Sequence, residues 1–414
     1  MIRKEELERY ARMLLRVGLG LRKGQEFMIN ASLEAAPLVR ELTRQAYEMG
    51  AKDEHINWQD AECEKLRYLC QDEETLGSFP DWKAEMYNGY CRRGCAYLAI
   101  TSDDPDAFAG VDAARIALAG RAKTAATLEA VNCRMTGVAP WLVAGYPGVK
   151  WAQKVFPGLP ADEAVDKLWD AILFVTRAKQ DDPEAAWKAH QSNLDRRKAW
   201  LNAQHFTAMH YAAPNGTDFT VGLADKHIWD GGCVAIEGKN SFIPNMPTEE
   251  IFSVPDSRKA EGTLVAALPL SYNGNLIADF RLTFKDGKVV DYDAGTGKEA
   301  LRSILETDDG AGRLGEIALI PVDSPLAQLG LLFYSTLYDE NASCHFALGR
   351  AYPSCYEGGE DMTKEALIEA GVNDSLVHVD FMVGTKDLTI TGIRADGAEV
   401  PVFEHGVWAK DTEA

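Results

Sequence analysis

A chain of 414 residues, 46% hydrophobic and 26% charged, is too long for one ordinary core and reads as a folded protein of two domains, or one large domain with a smaller one. No apolar run approaches the ~18 residues that span a bilayer, and eight scattered cysteines are too few for a disulfide framework, so they read as reduced thiols. The net charge of -20 is uneven, with 30 acids and 28 bases in residues 1–200 against 33 and 15 in residues 201–414, a surplus that disfavours nucleic acid and suits metal cations or positively charged substrates.

The start, MIRKEELERYARMLL, lacks an apolar signal core, and a cytoplasmic location is the expectation. A helix is predicted over Lys4–Val17, a strand over EFMINA (26–31), a helix through APLVRELTRQAYEMG ending at Gly50, and a strand at EHINW. Cys91 and Cys95 stand four apart without a second pair at zinc-ribbon spacing. CAYLAITS (95–102) follows as a strand, Asp103 to Pro105 as a turn, and residues 111–127 as a helix. This βαβ rhythm predicts an α/β fold whose first domain carries a largely parallel sheet covered by helices. VGLGLRKG leads from a helix into a strand, the reverse of a dinucleotide fingerprint, and there is no Walker-type loop.

Helices at 162–176 and 183–203 look like connectors, the second starting after the capping run Asp181, Asp182, Pro183. From Gln204 onward short β-like runs alternate with turn signals, including NG and DG hairpin turns, so the second half is expected to be mostly β (α+β). The expected domains are 1–203, α/β with connecting helices, and 204–414, β-rich. LVHVDFMVGTKDLTITG (376–392) reads as a hairpin in which Val377, Val379 and Phe381 share one face while His378 and Asp380 share the other. That polar face is solvated, or holds a core histidine satisfied by its neighbouring carboxylate, or is half of a metal site.

Three more segments carry polar groups among apolar ones. NMPTEEIF holds Glu249 and Glu250, RLGEIALIP holds Glu316 as the single charge within an apolar strand, and YDENASCHFALGRAY holds Glu340, His345 and Tyr352. A carboxylate inside such a strand must be neutral, paired or metal-bound, because burying it alone costs on the order of several kcal/mol. Singly, Glu250 reads equally well as a helix-start carboxylate, Glu340 as a turn residue, His345 as a core histidine and Tyr352 as a packed aromatic. Together, two imidazoles and four carboxylates form the ligand mix of a two-metal hydrolytic site for zinc, cobalt, manganese or magnesium. His55, His190, His205, His210, His227 and His405 lack partners at motif spacing and read as surface or core histidines, and Trp141, Trp151 and Trp169 as core or interface.

NMPTEE, GEIAL, DENASCHFALGRAY and HVDFMVGT, in this order and after a start like ERYARMLLRVGLGLRKGQ, resemble the thermophilic-type metallo-aminopeptidase family typified by aminopeptidases T and S, over the whole chain. The resemblance implies a cytosolic exopeptidase that removes N-terminal residues from peptides with a free N-terminus, a homodimer enclosing a cavity, and two divalent ions per subunit, with no nucleic-acid or membrane partner. It makes 204–414 the catalytic domain and implies Glu250, Glu316, Glu340, His345, His378 and Asp380 as metal ligands, with Glu316 bridging. It implies Tyr352 as the catalytic tyrosine, and the general base as Glu249 or a metal-bound carboxylate. The competing readings are another divalent-metal hydrolase on this scaffold, an amidase or esterase, and a non-enzymatic metal-binding protein.

Overall fold

The computed structural model describes residues 2–413 apart from 103, 136–138, 237–240, 273 and 274. Asp103 in the expected 103–105 turn, and the hairpin turn Asn273-Gly274, therefore lie outside the described residues. Two units result, Met1–Ala189 with Cys233–Pro247, and His190–Gly232 with Thr248–Ala414.

The first unit is built on a parallel sheet. Its strands run in the order Asp53–Gln59, Glu26–Ser32, Ala96–Thr101, Trp141–Gly145 and Asn245–Met246. Phe27, Met28, Ile29 and Ala31 of the second of these are buried, as a strand covered on both faces requires. Helix Ala36–Glu48 turns Leu38, Val39 and Leu42 inward at helical spacing. The first helix runs α-helical over Lys4–Met13 and then widens into a π turn, Leu14–Gly18. Gly18 is needed there, since a Cβ would lie 2.4 Å from Leu142 Cδ2. The two-residue strand Asn245–Met246 is too short to leave a periodic signal in the sequence, and it was not expected.

The second unit contains a nine-stranded antiparallel sheet and a smaller four-stranded one. The smaller sheet is ordered His378–Met382, His345–Gly349, Leu314–Leu319, Ile251–Ser253, all antiparallel. Its alternation separates two jobs. Ile317, Leu319, Phe346, Leu348, Val379 and Phe381 enter one hydrophobic core together with Met209, Tyr211, Phe219, Val221 and Phe280 of the nine-stranded sheet. Phe346 sits at the centre of this core, with ring centroids 4.9 Å from Tyr211 and 5.4 Å from Phe219. Glu316, Ala318, His345, Ala347, His378 and Asp380 occupy the opposite face, because directly paired residues point the same way.

The expected 376–392 hairpin does not form. His378–Met382 pairs with His345–Gly349, whereas Thr389–Arg394 pairs with Phe206–Ala213 and Glu399–Glu404 in the larger sheet. Val383, Leu388 and Ile390 are all buried in the shared core, so the chain bends at 384–387 to let each strand serve a different sheet. All eight cysteines carry free thiols. Among the described residues no helix is long and apolar enough to cross a membrane.

Phe346→Ala should remove about 3–5 kcal/mol from the stability of the second unit. Urea denaturation followed by tryptophan fluorescence would show it, and an unchanged midpoint would contradict a common core for the two sheets.

Candidate metal centre

The position of Glu316 depends on a β-bulge. Leu314 pairs with Leu348 and points into the core, and in a regular strand Glu316, two residues on, would point there too. The register shifts between Leu314 and Glu316, so Glu316 pairs with Ala347 and turns to the opposite face. Gly315 makes this possible: a Cβ there would lie 2.4 Å from the carbonyl oxygens of both Gly349 and Arg350. The neighbours of Glu316 on this face, Ala347 directly opposite and Ala318 two residues on, are small.

Neighbouring strands bring up its companions. His345 opens the central strand, and His378 and Asp380 lie on the strand beyond it. Glu250 immediately precedes the edge strand Ile251–Ser253. The side chains gather into two trios, Glu250 with Glu316 and His345, and Glu316 with His378 and Asp380; the potential ligand atoms of each lie within 4.8 Å of one another. Glu316 belongs to both. His345 Nε2 lies 3.5 Å from Glu250 Oε2 and 3.6 Å from Glu316 Oε1. His378 Nε2 lies 3.5 Å from Glu316 Oε2 and 3.3 Å from Asp380 Oδ1.

Glu340 belongs to neither trio. It begins the short 3₁₀ turn Glu340–Ala342, and its backbone oxygen accepts a hydrogen bond from His345 Nδ1 at 2.9 Å. Tyr352 is 38% exposed, with its ring 5.1 Å from that of His378 and 5.9 Å from that of Phe252. Removal of its hydroxyl from water, and after that the carboxylates of Glu316, Asp380, Glu340 and Glu250, hold its pKa well above 10, so it stays a hydrogen-bond donor.

The donor set fits divalent cations on two observations. Both imidazoles are tied through Nδ1 to backbone oxygens, His345 to Glu340 at 2.9 Å and Ser343 at 3.2 Å, His378 to Arg350 at 2.7 Å. A carbonyl only accepts, so Nδ1 carries the hydrogen and a neutral ring aims the Nε2 lone pair at carboxylate oxygens. Such an arrangement repels itself unless a cation, proton or metal, lies between. Moreover, Glu316 is 4% exposed and its Oε2 accepts no hydrogen bond. Oxygen and imidazole donors without thiolate suit zinc, cobalt, manganese or magnesium.

Without metal, protons take that place. Burial disfavours a charged imidazole, but Glu316, Asp380 and Glu250 outweigh it and raise His345 from 6.5 to about 9. Asp380 and Glu316 likewise outweigh burial and raise His378 to about 10. Burial, only partly opposed by His345, lifts Glu250 to about 7. Burial and then Asp380, Glu250 and Glu316 push Glu340 well above the carboxylate range. Burial would raise Asp380 too, but His378 more than offsets it and the group ends below its ordinary value.

Two residues not singled out as site candidates also bear on this face, His190 far from every motif and Asn341 within DENASCHFALGRAY. His190, expected to be an ordinary histidine, donates from Nε2 to the Thr248 backbone oxygen at 2.8 Å and lies 3.6 Å from Glu249 Oε2. Asn341 accepts the Glu249 N–H at 2.8 Å. Only their contacts in space reveal them; a histidine far from every motif carries no sequence signal. Among the described residues no other group of three acidic, histidine or cysteine side chains gathers at ligand distance.

Acidic and imidazole side chains gathered around one shared carboxylate make up a candidate metal centre. The sequence pattern of the thermophilic metalloprotease (M29) family matches residues 3–408, and the chain belongs to that family. It is 45% identical to Aminopeptidase 2 of Geobacillus stearothermophilus over 406 residues, covering 98% of each chain. Aminopeptidase T of Thermus thermophilus is 41% identical over 405 residues, again 98% of both. The solved structure of wild-type AmpT from Thermus thermophilus superposes with a TM-score of 0.92 at 40% identity, covering 98% of this chain and 99% of that one.

Metal uptake should displace the protons on His345 and His378. Their folded pKa values lie above 6.5, so their contribution to the stability of metal-free protein is fully present below pH 6.5 and lost as pH rises through 9 and 10. Glu250 acts in the same sense between 4.5 and about 7. Titration calorimetry of chelator-stripped protein with zinc, at about pH 7.5 in buffers of different ionisation enthalpy, should show release of more than one proton. Release should fade as pH passes about 10, and none at any pH would contradict this account.

Proposed function

We propose that the protein is a metal-dependent aminopeptidase that hydrolyses the first peptide bond of substrates bearing a free N-terminus. One observation carries this reading: Glu316 is shared by two trios whose imidazoles are both fixed to present Nε2. In it, Glu250, Glu316 and His345 hold one divalent ion, Glu316, His378 and Asp380 a second, and Glu340 completes the set. When bound, such ions supply Lewis acidity for the scissile carbonyl and make hydroxide available from water near neutral pH.

The remaining work belongs to the chain itself. Tyr352 keeps its hydroxyl hydrogen and donates a hydrogen bond through it to the carbonyl oxygen as negative charge develops there. A proton must pass from the attacking water to the nitrogen of the leaving amine. That transfer falls to Glu249, a buried carboxylate outside both trios, or to one of the ligand carboxylates. The acidic surplus of this half of the sequence favours a substrate ammonium group, which supports action at the N-terminus over cleavage inside a chain. The names of the aminopeptidase relatives point the same way.

Hydrolysis of leucyl-p-nitroanilide by chelator-stripped protein should return on adding cobalt, zinc or magnesium, while N-acetyl-leucyl-p-nitroanilide should stay intact. Cleavage of the blocked substrate at a comparable rate would contradict exopeptidase action. Tyr352→Phe should lower kcat by about 10²–10³-fold with little change in KM, if the hydroxyl acts in the transition state. A variant with wild-type kcat would remove Tyr352 from the mechanism.

A further inference from the structure

Glu249 and Glu250 lie just before the edge strand. That strand is only three residues long, Ile251–Ser253; it pairs with Leu314–Leu319 and, at Phe252, exchanges two 2.9 Å hydrogen bonds with Asp230. The backbone that aims Glu250 is therefore outside the ladder. Yet Thr248, Glu249 and Glu250 are all buried, so their peptide groups need partners other than water.

The peptide unit joining Thr248 to Glu249 is gripped at both ends. Its oxygen accepts from His190 Nε2 at 2.8 Å, and its N–H donates to Asn341 Oδ1 at 2.8 Å. His190 belongs to helix Pro183–Gln204 and Asn341 to the turn Glu340–Ala342. Asn341 is fully buried at 0% exposure and its amide is in turn fixed, with Nδ2 donating to Leu337 O at 3.0 Å and lying 3.4 Å from Glu340 Oε1. Two hydrogen bonds at opposite ends of one planar group fix the line from its oxygen to its N–H and so limit how the peptide can tilt or shift.

We infer that His190 and Asn341 are positioning residues which pin the Thr248–Glu249 peptide and so set where Glu250 meets Glu316 and His345. The inference rests on the proposal that Glu250 is a ligand. It places the residues orienting this carboxylate in the backbone behind it, unlike those of His345 and His378, whose rings are held directly. The trio of Glu316, His378 and Asp380 shares none of these contacts with the pinned peptide.

The test uses full-length, chelator-stripped protein titrated with cobalt(II) in competition with a coloured chelator, with the visible cobalt spectrum recorded at each step. Asn341→Ala and His190→Leu should each weaken one of the two binding steps by about 10–100-fold and alter its spectrum, while the other step keeps its affinity. His190→Gln, which retains a donor at about the same reach, should recover most of that loss. Because both act on one peptide, the double variant should lose no more than about the worse single variant. Independent structural damage would instead weaken both steps and add. If Asn341→Ala does not fold, His190→Leu and His190→Gln carry the test alone. Wild-type affinity in the folded removal variants overturns the inference, provided Glu250→Gln is weakened. If Glu250→Gln also binds as wild type, the ligand reading itself fails.

Discussion

The second unit is organised around one unfavourable placement, a carboxylate held almost entirely out of water with an oxygen that accepts no hydrogen bond. Left charged and unpaired, Glu316 would cost on the order of several kcal/mol. Nearby imidazoles do not resolve the problem as neutral rings, because they aim lone pairs at the same oxygens. A positive charge has to enter, and the two ways of supplying it, protons or metal ions, compete for one place. The bulge at Gly315 creates this demand by turning Glu316 away from the core that Leu314 and Ile317 share.

The four-stranded sheet meets that demand through division of labour between its faces. Phe346, Phe381 and their neighbours anchor it to the larger sheet, and this burial stabilises strands whose other face collects mutually repelling carboxylates. Rigidity on the apolar side and charge on the polar side are consequences of one alternation. Within the fold of a metalloprotease family member, this is how a site that disfavours its own assembly can be held ready for cations.

Much of this was legible in the chain. Three of the five parallel strands of the first unit and several of its helices announce themselves through apolar runs and helical spacing, whereas Trp141–Gly145 and Asn245–Met246 were not expected, and the alternation in HVDFM states that His378 and Asp380 share a face. Glu316 was conspicuous as a lone charge in an apolar strand. What sequence could not supply was register. A period-two pattern through RLGEIAL, without the bulge, would turn Glu316 to the same side as Leu314. The expected 376–392 hairpin failed for a related reason: both strands are locally hairpin-like, but each has a better partner far away in sequence. His190 carried no signal and Asn341, though inside DENASCHFALGRAY, no sign of its contact, because both act on one peptide group 58 and 92 residues distant.

The central claim is that Glu316 is shared between two ions. Anomalous X-ray scattering from crystals grown with zinc, recorded on either side of its absorption edge, addresses this without reference to activity. The account predicts two anomalous peaks, one on each side of the Glu316 carboxylate, the first beside Glu250 and His345 and the second beside His378 and Asp380. A single peak, or peaks away from Glu316, would contradict it.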